Sequence, residues 1–398
     1  MIERPRVRPR NAFRLSAALA AIGIVCVAAV GCGGSNDEGA DSSDVIRIGL
    51  EAPLSGDQST LGKGMLQGAQ LAAAQINEKG GLLGKKVEIV NIDDAADAKK
   101  GVEAANAAVE KDLSGVVGPY NSSVGIETLP IYIDQGLVPI RLTSDDATNG
   151  LGYTLQPMTY QIAPVTSDAL TKYLPVDKVA IAYDKTQIYT KTVSKAVKEQ
   201  LEKAGVEVIA YEPIEPGAKD YTSEVRQLGA TGADAIYAAV YYPEGALMAK
   251  AVNDEGVDAR CLLDYASYDS GYVQDAGVEA AKACGVMGVP APDDFANSGS
   301  YVRDFQREFD APPGTWSPYT YDSLNFLAYG IRKAGGTDPD KIADVLDDVS
   351  GWKGWTGTVE IDPKNGNRQP ATVTLDYVDD QGNFHVDEEW ARAVGAPY

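Results

Sequence analysis

Apolar residues occur along the chain in two alternating patterns. Short uninterrupted runs, such as residues 45–50 and 87–92, predict strands that are buried on both faces of a sheet. Longer segments, such as residues 63–79 and 98–113, carry apolar side chains at helical spacing on one face. Because strand and helix patterns follow each other repeatedly, we predict an α/β protein with parallel, doubly wound sheets.

The alternation occurs in two series. The first covers residues 45–140, and the second begins near residue 177 and continues to about residue 289. From residue 297 the pattern is helical, and residues 357–390 alternate like antiparallel strands. About 355 residues follow the N-terminal region, more than one core usually holds, so we predict two α/β lobes.

The N-terminal region predicts export. Five arginines precede residues 15–30, an uncharged run that is shorter than the ~20 residues needed to cross a bilayer. This is typical of a secretory signal peptide, here residues 1–31. Small residues then lead directly to Cys32, as in a bacterial lipobox, whose cysteine is acylated. The alternatives are a plain signal peptide cleaved nearby and an uncleaved N-terminal helix.

A polar segment follows the cysteine. Residues 33–43 contain no apolar side chain larger than alanine, so residues 32–44 are predicted to be a lipidated flexible tether. One acyl chain binds membranes weakly, but a bacterial lipoprotein carries several. We therefore expect a protein anchored to the outer face of the cytoplasmic membrane by lipid on Cys32.

The charge balance limits the partners. The whole chain has a formal net charge of −22, and loss of residues 1–31, with five arginines and one glutamate, would make it about −26. Such a charge argues against nucleic acid and anionic lipid surfaces as partners.

Two cysteines remain for the folded part. Cys26 belongs to the signal, whereas Cys261 and Cys284 each stand at the start of a predicted strand. Neighbouring parallel strands would place these positions side by side in an oxidising compartment, so a disulfide is predicted. The alternative is two separate buried thiols.

Residues typical of catalysis are scarce. His385 is the only histidine and lies beside a predicted turn, where a surface position is expected. There is no Gly-x-Ser-x-Gly elbow, phosphate-binding loop or dinucleotide fingerprint, and Cys/His zinc ligands are lacking. We therefore predict no enzyme, no cofactor and no metal site. A calcium site at Asp145 and Asp146 is the alternative, although adjacent acids in a loop are usually solvated.

The predicted ligand site lies in loops at the carboxyl ends of strands, where open α/β sheets bind ligands. In lobe one, hydroxyl groups and the start of a helix suit a carboxylate. The side chains concerned are Tyr120, Asn121, Ser122, Ser123, Thr143 and Ser144. Ser122 or Ser123 could also simply cap the helix.

In lobe two, Tyr241 and Asp264 follow two predicted strands and suit an ammonium group. Core packing is the alternative for Tyr241. The chain has 21 tyrosines but only 6 phenylalanines, which fits a cleft lined by aromatic rings with polar edges. The two lobes would thus carry complementary halves of a site for a zwitterion.

Five segments together resemble a known family. They are residues 48–56, with Ile-Gly-Leu and Pro-Leu-Ser-Gly, 68–84, with Ile-Asn-Glu-Lys-Gly-Gly-Leu-Leu-Gly, 116–123, 239–244 and 319–323. In this order, after a lipobox, they resemble the substrate-binding lipoproteins of ABC importers for branched-chain amino acids. These are periplasmic binding proteins of type I, the Leu/Ile/Val-binding type.

The resemblance implies two doubly wound α/β lobes joined by a three-segment hinge, the periplasmic binding protein-like I fold. Lobe one would comprise residues 45–163 and 291–354, and lobe two residues 164–290 and 355–398. The three crossover segments, and thus the hinge, are expected near residues 163–166, 289–293 and 353–357.

The resemblance also implies roles for the site residues. A serine of the pair Ser122 and Ser123 would bind a ligand α-carboxylate, helped by a hydroxyl from Thr143 or Ser144. Tyr241 and an acid near Asp264 would face the α-amino group, and Tyr189 would cover the ligand. Two departures point to a ligand other than leucine, isoleucine or valine. Asp145 and Asp146 would repel a carboxylate, and Asp264 and Tyr265 compete for the acidic position.

The function expected from this resemblance is binding. A monomeric extracytoplasmic receptor would capture a small polar solute, most simply an amino acid, and deliver it to ABC permease subunits. One alternative is a sensor that presents an amide, urea or aromatic acid to a chemoreceptor or sensor kinase. Another is an envelope enzyme, which the scarcity of catalytic motifs disfavours.

Overall fold

The structure is a computed structural model that describes residues 44–174, 176–295 and 298–396. The predicted signal peptide, the lipidation of Cys32 and the tether up to residue 43 lie outside the described residues. Among the helices that are described, none is both long and apolar enough to cross a membrane.

The described strands largely follow the predicted apolar runs. They are β1 (Val45–Ala52), β2 (Lys86–Asp93), β3 (Leu113–Val117), β4 (Pro139–Arg141), β5 (Tyr153–Thr154), β6 (Lys178–Asp184), β7 (Glu207–Ile214), β8 (Ala235–Ala239), β9 (Arg260–Leu263), β10 (Cys284–Gly288), β11 (Ser350–Gly354), β12 (Gly357–Asp362), β13 (Asn367–Arg368), β14 (Thr374–Val378) and β15 (Phe384–Val386).

The helices alternate with these strands. They are α1 (Ser59–Glu78), α2 (Ala98–Val109), α3 (Ser122–Asp134), α4 (Thr159–Asp168), α5 (Ile188–Lys203), α6 (Thr222–Gly229), α7 (Tyr242–Glu255), α8 (Ser270–Ala276), α9 (Val278–Ala281), α10 (Ser298–Phe309), α11 (Ser317–Ala334), α12 (Pro339–Asp347) and α13 (Glu388–Val394). The helical periodicity did not predict α4, because Pro164 and several β-branched residues interrupt its pattern.

The strands form two sheets, which confirms the predicted α/β fold with two lobes. In lobe one the strand order is β11-β12-β13-β5-β4-β3-β1-β2, and in lobe two it is β15-β14-β10-β9-β8-β6-β7. Strands β1 to β5 are parallel neighbours, as are β6 to β10. The C-terminal strands pair antiparallel with each other and with β10, and β13 joins β5 in parallel. Strand β1 is almost wholly buried because helices cover both of its faces.

The crossovers between the lobes differ in part from the prediction. The first follows β5, and the predicted segment 163–166 lies inside α4, which packs against α5 of lobe two. The second leaves lobe two after Gly288, at the start of the predicted segment.

The third crossover was predicted near residues 353–357, with lobe two resuming at residue 355, and this is wrong. Strands β11 and β12 form an antiparallel pair, and β12 continues onto β13, which pairs with β5. Residues up to Arg368 therefore belong to the sheet of lobe one. The chain crosses between Arg368 and Thr374, and β14 then pairs with β10.

The predicted disulfide is confirmed. Cys284 on β10 lies opposite Cys261 on β9 in a parallel register, and their sulfur atoms are bonded at 1.97 Å. The bond joins the starts of two neighbouring strands, at the opposite end of the sheet from the loops that carry the predicted site.

Candidate functional site

The loop after β3 delivers four of the predicted site residues. Gly118 has a φ of +100°, and a Cβ atom there would stand 2.0 Å from the carbonyl oxygen of Glu51 on β1. Only glycine fits this combination of conformation and close approach. The turn places Tyr120 and Asn121 at the lobe interface and starts α3 at Ser122.

Ser122 ties together the two loops of lobe one. Its Oγ accepts hydrogen bonds from the backbone N–H of Ser144 at 3.3 Å and of Asp145 at 3.1 Å. The hydroxyl hydrogen can still be donated to a ligand oxygen. The first N–H groups of α3 also lack acceptors within their own helix, so this corner retains donors for a polar group.

The two hydroxyl residues of the next loop point in different directions. Thr143 is buried beneath the loop, where its Oγ1 accepts from Arg141 Nη1 at 3.3 Å and pairs with Thr148 Oγ1 at 2.8 Å. Ser144 lines the cavity between the lobes, and its Oγ lies 3.5 Å from Gln156 Oε1.

That cavity is lined mainly by tyrosines and smaller side chains. Its volume is about 10 Å³, close to the space that one water molecule needs. The lining residues are Tyr120, Ser122, Leu142, Ser144, Tyr189, Tyr241, Tyr265 and Ala266. The structure thus brings together five of the nine predicted ligand-binding residues at one point between the lobes.

Asp264 is not one of the residues that line the cavity. Its Oδ1 accepts a hydrogen bond from the hydroxyl of Tyr237 at 2.6 Å, and its Oδ2 accepts from the N–H of Ala266 at 3.2 Å. Burial raises the pKa of Asp264, although these hydrogen bonds oppose the shift. The hydroxyl of Tyr189 approaches the same carboxylate, which adds to the effect of burial in raising the pKa of Tyr189.

The remaining two predicted residues make other contacts at the lobe interface. Ser123 Oγ accepts a hydrogen bond of 2.9 Å from the N–H of Ile188 at the start of α5, on the opposite lobe. Asn121 Nδ2 donates to Gln58 Oε1 at 3.0 Å within lobe one. Tyr242 OH donates to the carbonyl oxygen of Asp57 across the cleft at 2.7 Å, so the lobes are closed on each other.

Four residues at the site were not among the predicted ligand-binding residues: Leu142, Tyr265, Ala266 and Trp316. Leu142 and Ala266 carry no polar group that would have marked them. Tyr265 directly follows a predicted strand, so its position at a strand end was a usable signal. Trp316 is fully buried and packs 5.3 Å from the ring centroids of both Tyr120 and Tyr265. It precedes α11 and belongs to no strand-end motif.

The acidic pair after β4 is divided between the interior and the surface. Asp145 is buried, and its Oδ1 accepts from the N–H of Ala147 at 2.8 Å. Asp146 is half-buried, and burial raises its pKa to about 6, while the charge of Arg141 opposes the shift. Within the described residues, no three side chains of the metal-ligating types cluster.

Comparison with known proteins shows the family. The sequence model described as periplasmic binding protein matches residues 45–382. The Leu/Ile/Val-binding protein homolog 1 of Brucella abortus is 26% identical over 359 residues, covering 88% of this chain and 94% of that protein. An amino acid binding protein of Pseudomonas aeruginosa is 28% identical over 354 residues, covering 86% of this chain and 92% of that protein.

Solved structures share the fold at lower identity. The leucine binding protein LivK of Thermotoga maritima has a TM-score of 0.79 at 21% identity, covering 86% of this chain and 97% of that one. The branched-chain amino acid protein LivJ of Streptococcus pneumoniae, in complex with isoleucine, has a TM-score of 0.79 at 22% identity, covering 86% and 98%.

A solute binding protein of R. palustris, in complex with 4-hydroxybenzoate, has a TM-score of 0.77 at 18% identity, covering 86% of this chain and 96% of that one. Two α/β lobes that close on a cavity at their strand ends, together with a family match over most of the chain, lead to one conclusion. The chain is a member of the periplasmic binding protein family, and its fold is that of the leucine binding protein LivK and of LivJ.

Proposed function

We propose that this protein is an extracytoplasmic receptor that binds a small polar solute between its lobes and delivers it to an ABC permease. Amino acids are the first class of solute to test. The observation that carries the proposal is the cavity between the lobes, which Ser122 and Ser144 of lobe one line together with Tyr189 and Tyr241 of lobe two. The amino-acid-binding relatives support the choice of solute class.

The proposed mechanism is capture by closure. An open form would admit the solute, and the lobes would then close over it by a hinge at the three crossovers. Closure would form contacts between the lobes, such as the hydrogen bond from Ile188 N–H to Ser123 Oγ and that from Tyr242 OH to Asp57. The closed form would be the one that docks on the permease. No step of this mechanism breaks a covalent bond.

We further propose that lipid on Cys32 keeps the receptor at the outer face of the cytoplasmic membrane. A tether of about 11 polar residues would allow the folded part to reach a permease in the same membrane. Replacement of Cys32 by serine is expected to release the protein into the soluble fraction of the envelope. A mature unaltered protein whose mass shows no acyl chains on Cys32 would contradict the anchor.

An aromatic acid is the second candidate solute. The R. palustris protein, whose structure was solved with 4-hydroxybenzoate, shares the fold. The cavity here is lined by four tyrosines, which could stack on an aromatic ring. A sensor that presents such a solute to a chemoreceptor would use the same closure, and permease genes beside its own would favour import instead.

The test is a thermal-shift screen with amino acids, amides and aromatic acids, combined with mass spectrometry of solute released from the purified protein. A solute that binds only the native state at 100 times its Kd should stabilise it by about 2.7 kcal/mol. Ser122→Ala and Tyr241→Ala should each weaken this shift. Tyr377→Ala, at a site 49% exposed on lobe two, is the control and should not.

Two results would contradict the proposal at different levels. If no small solute raises the melting temperature, the receptor function is wrong. If a solute binds but neither Ser122→Ala nor Tyr241→Ala changes its affinity, the function stands and the assignment of the site is wrong.

A further inference from the structure

The loop next to the anion side of the cleft holds a buried carboxylate with an unpaired oxygen, on the residue whose backbone N–H donates to Ser122 Oγ. Asp145 is 1% exposed, and its Oδ1 is used by the N–H of Ala147. Its Oδ2 is fully buried and has no hydrogen-bond partner among the described residues. A buried carboxylate oxygen without a donor is costly, so it favours a ligand that supplies a proton donor or a positive charge.

The backbone donors of the same corner are already engaged. The N–H groups of Ser144 and Asp145 both donate to Ser122 Oγ. In this arrangement they are turned to the serine oxygen and not towards a ligand. A ligand carboxylate would therefore find the Ser122 hydroxyl and the start of α3, but also the negative charge of Asp145 close by.

Basic side chains are absent from the wall of the cavity. None of the residues that line the cavity is a lysine or arginine. Arg141 is buried nearby, but its Nη1 donates to the carbonyl oxygen of Thr143 at 3.2 Å and its Nη2 donates to Asn367 Oδ1. The guanidinium thus connects the loop after β4 to β13.

The aromatic walls suit a cation. Tyr120, Tyr189, Tyr241 and Tyr265 surround the cavity, and Trp316 packs behind two of them. Tyrosine and tryptophan rings attract an ammonium group that lies over their faces.

Further carboxylates lie behind the aromatic rings. The charges of Asp184, Asp264 and Asp145 add to the effect of burial in raising the pKa of the hydroxyl of Tyr241, which lines the cavity. Asp184 and Asp264 belong to lobe two and Asp145 to lobe one. Carboxyl groups that act on this lining residue therefore come from both lobes.

From this geometry we infer that the cleft selects ligands with a net positive charge: a small ammonium compound whose carboxylate is neutralised, as in an amide, or absent. Asp145 is the residue that sets this preference against the zwitterion of the same skeleton. The inference rests on the proposed receptor function and names the charge class of its solute.

The experiment measures the affinities of the whole protein, freed of bound solute, for matched compounds by calorimetry. The first series is L-leucine, L-leucinamide and 4-methylpentanoate, and the second is the corresponding series built on alanine, which suits a smaller cavity. A pH of about 6.5 keeps the amide protonated, because an α-amino group titrates near 7.7–8.0. We expect the amide of at least one series to bind about tenfold or more tightly than its amino acid.

A pair of variants assigns the effect to its residue. Asp145→Asn keeps the acceptor for Ala147 and removes the charge, so it should lower the ratio of amide to amino-acid affinity by about fivefold or more. Asp146→Asn, the half-exposed neighbour, should change that ratio by less than about twofold.

The possible results distinguish a failure of the charge selectivity from a failure of the receptor function. If an amino acid binds as tightly as its amide, or more tightly, the charge selectivity is overturned and the receptor function stands. If none of these compounds or the wider screen binds, the receptor function fails as well. The affinities of the unaltered protein decide this even if Asp145→Asn does not fold, and an unchanged ratio in a folded Asp145→Asn removes the role of Asp145.

Discussion

Several individual carboxylates are buried away from the cleft, and two of them form a pair in lobe one. Glu51 on β1 is fully buried, and its Oε2 accepts a hydrogen bond from Thr128 Oγ1 at 3.0 Å. Asp94 follows β2 and accepts from the N–H of Ala96 at 2.7 Å. Burial raises the pKa of Glu51, and the charge of Asp94 raises it further. Burial also raises the pKa of Asp94, to about 7.

These raised pKa values predict how stability depends on pH. Between the ordinary pKa of an aspartate and the folded value near 7, the folded protein holds protons that the unfolded chain has lost. The stabilisation from the protonated acids is therefore present at low pH and is lost as the pH rises through about 7.

Asp94→Asn should remove part of this loss of stability at high pH. Because the amide keeps the acceptor for Ala96 and carries no charge, the variant should melt about 2–4 °C above the unaltered protein at pH 8. At about pH 4, near the ordinary pKa of an aspartate, the two melting temperatures should differ little. Scanning calorimetry across this range measures both, with Glu103→Gln, an exposed change on α2, as the control. Equal melting temperatures at pH 8 would contradict the expected ionisation of Asp94.

At the scale of elements, the turn between β3 and α3 positions the serine corner of the site. Gly118→Ala would force a side chain into the carbonyl oxygen of Glu51 at a backbone angle that disfavours it. We expect a loss of about 3 kcal/mol or more in the free energy of unfolding, measured with urea, and weaker binding of any identified solute.

The matched control for this turn is Gly84→Ala. Gly84 also has a positive φ, +76°, but a Cβ atom there would meet nothing within 4 Å. Gly84→Ala should lower the free energy of unfolding by about 1 kcal/mol, because only the backbone conformation is unfavourable there. Equal losses at the two positions would mean that the close approach to β1 is not what requires Gly118.

The disulfide between β9 and β10 is expected to stabilise lobe two without affecting binding. It closes a loop with a sequence separation of 23 residues, so replacing both cysteines by alanine should lower the free energy of unfolding by about 3 kcal/mol. Affinity for the solute should be unchanged, because Cys261 and Cys284 lie at the strand starts and the cavity at the strand ends. A large loss of affinity at full folding would show that the two ends of the sheet are coupled.

The whole molecule is in a closed arrangement, and polar contacts between the lobes contribute to it. Combining Ser123→Ala with Tyr242→Phe removes the hydrogen bonds to Ile188 and Asp57. Each bond contributes about 1 kcal/mol, so the pair should favour the open form and weaken solute binding by roughly tenfold or more. The radius of gyration in solution, measured by X-ray scattering with the solute below saturation, should increase.

A second double variant makes the same chemical changes within one lobe. The hydroxyls of Ser194 and Tyr211 pair at 2.9 Å inside lobe two, so Ser194→Ala with Tyr211→Phe loses a hydrogen bond that closure does not form. Its solute affinity and radius of gyration should match those of the unaltered protein. If both double variants weaken binding equally, the loss is one of general stability and not of closure.

How far the sequence predicts this molecule differs between its parts. The strands and helices of residues 45–140 were predictable because each buried strand is followed by a helix with one apolar face, as in β1 and α1. The third crossover was not. An alternating pattern shows that residues 357–362 form a strand, but either sheet edge could accept it.

For the site, position along the chain predicted where residues lie but not where they point. Ser122 follows a strand end and reaches the cavity, as the parallel sheet requires. Thr143 and Ser144 stand in the same loop, yet only Ser144 lines the cavity, because Thr143 is held beneath it by Arg141 and Thr148. Such a choice depends on packing partners that are distant in sequence.

Local periodicity, glycine positions and short motifs thus determined the α/β class, the two lobes, the disulfide and the strand ends that carry the site, because each reflects interactions between near neighbours or a repeated pattern. Only the tertiary structure decided which lobe receives β12 and β13, that Trp316 packs behind the tyrosines, and that Asp145 is buried with a free oxygen beside Ser122. These features arise where segments remote in sequence pack together. The energy of that packing depends on both segments at once, so neither segment alone predicts it.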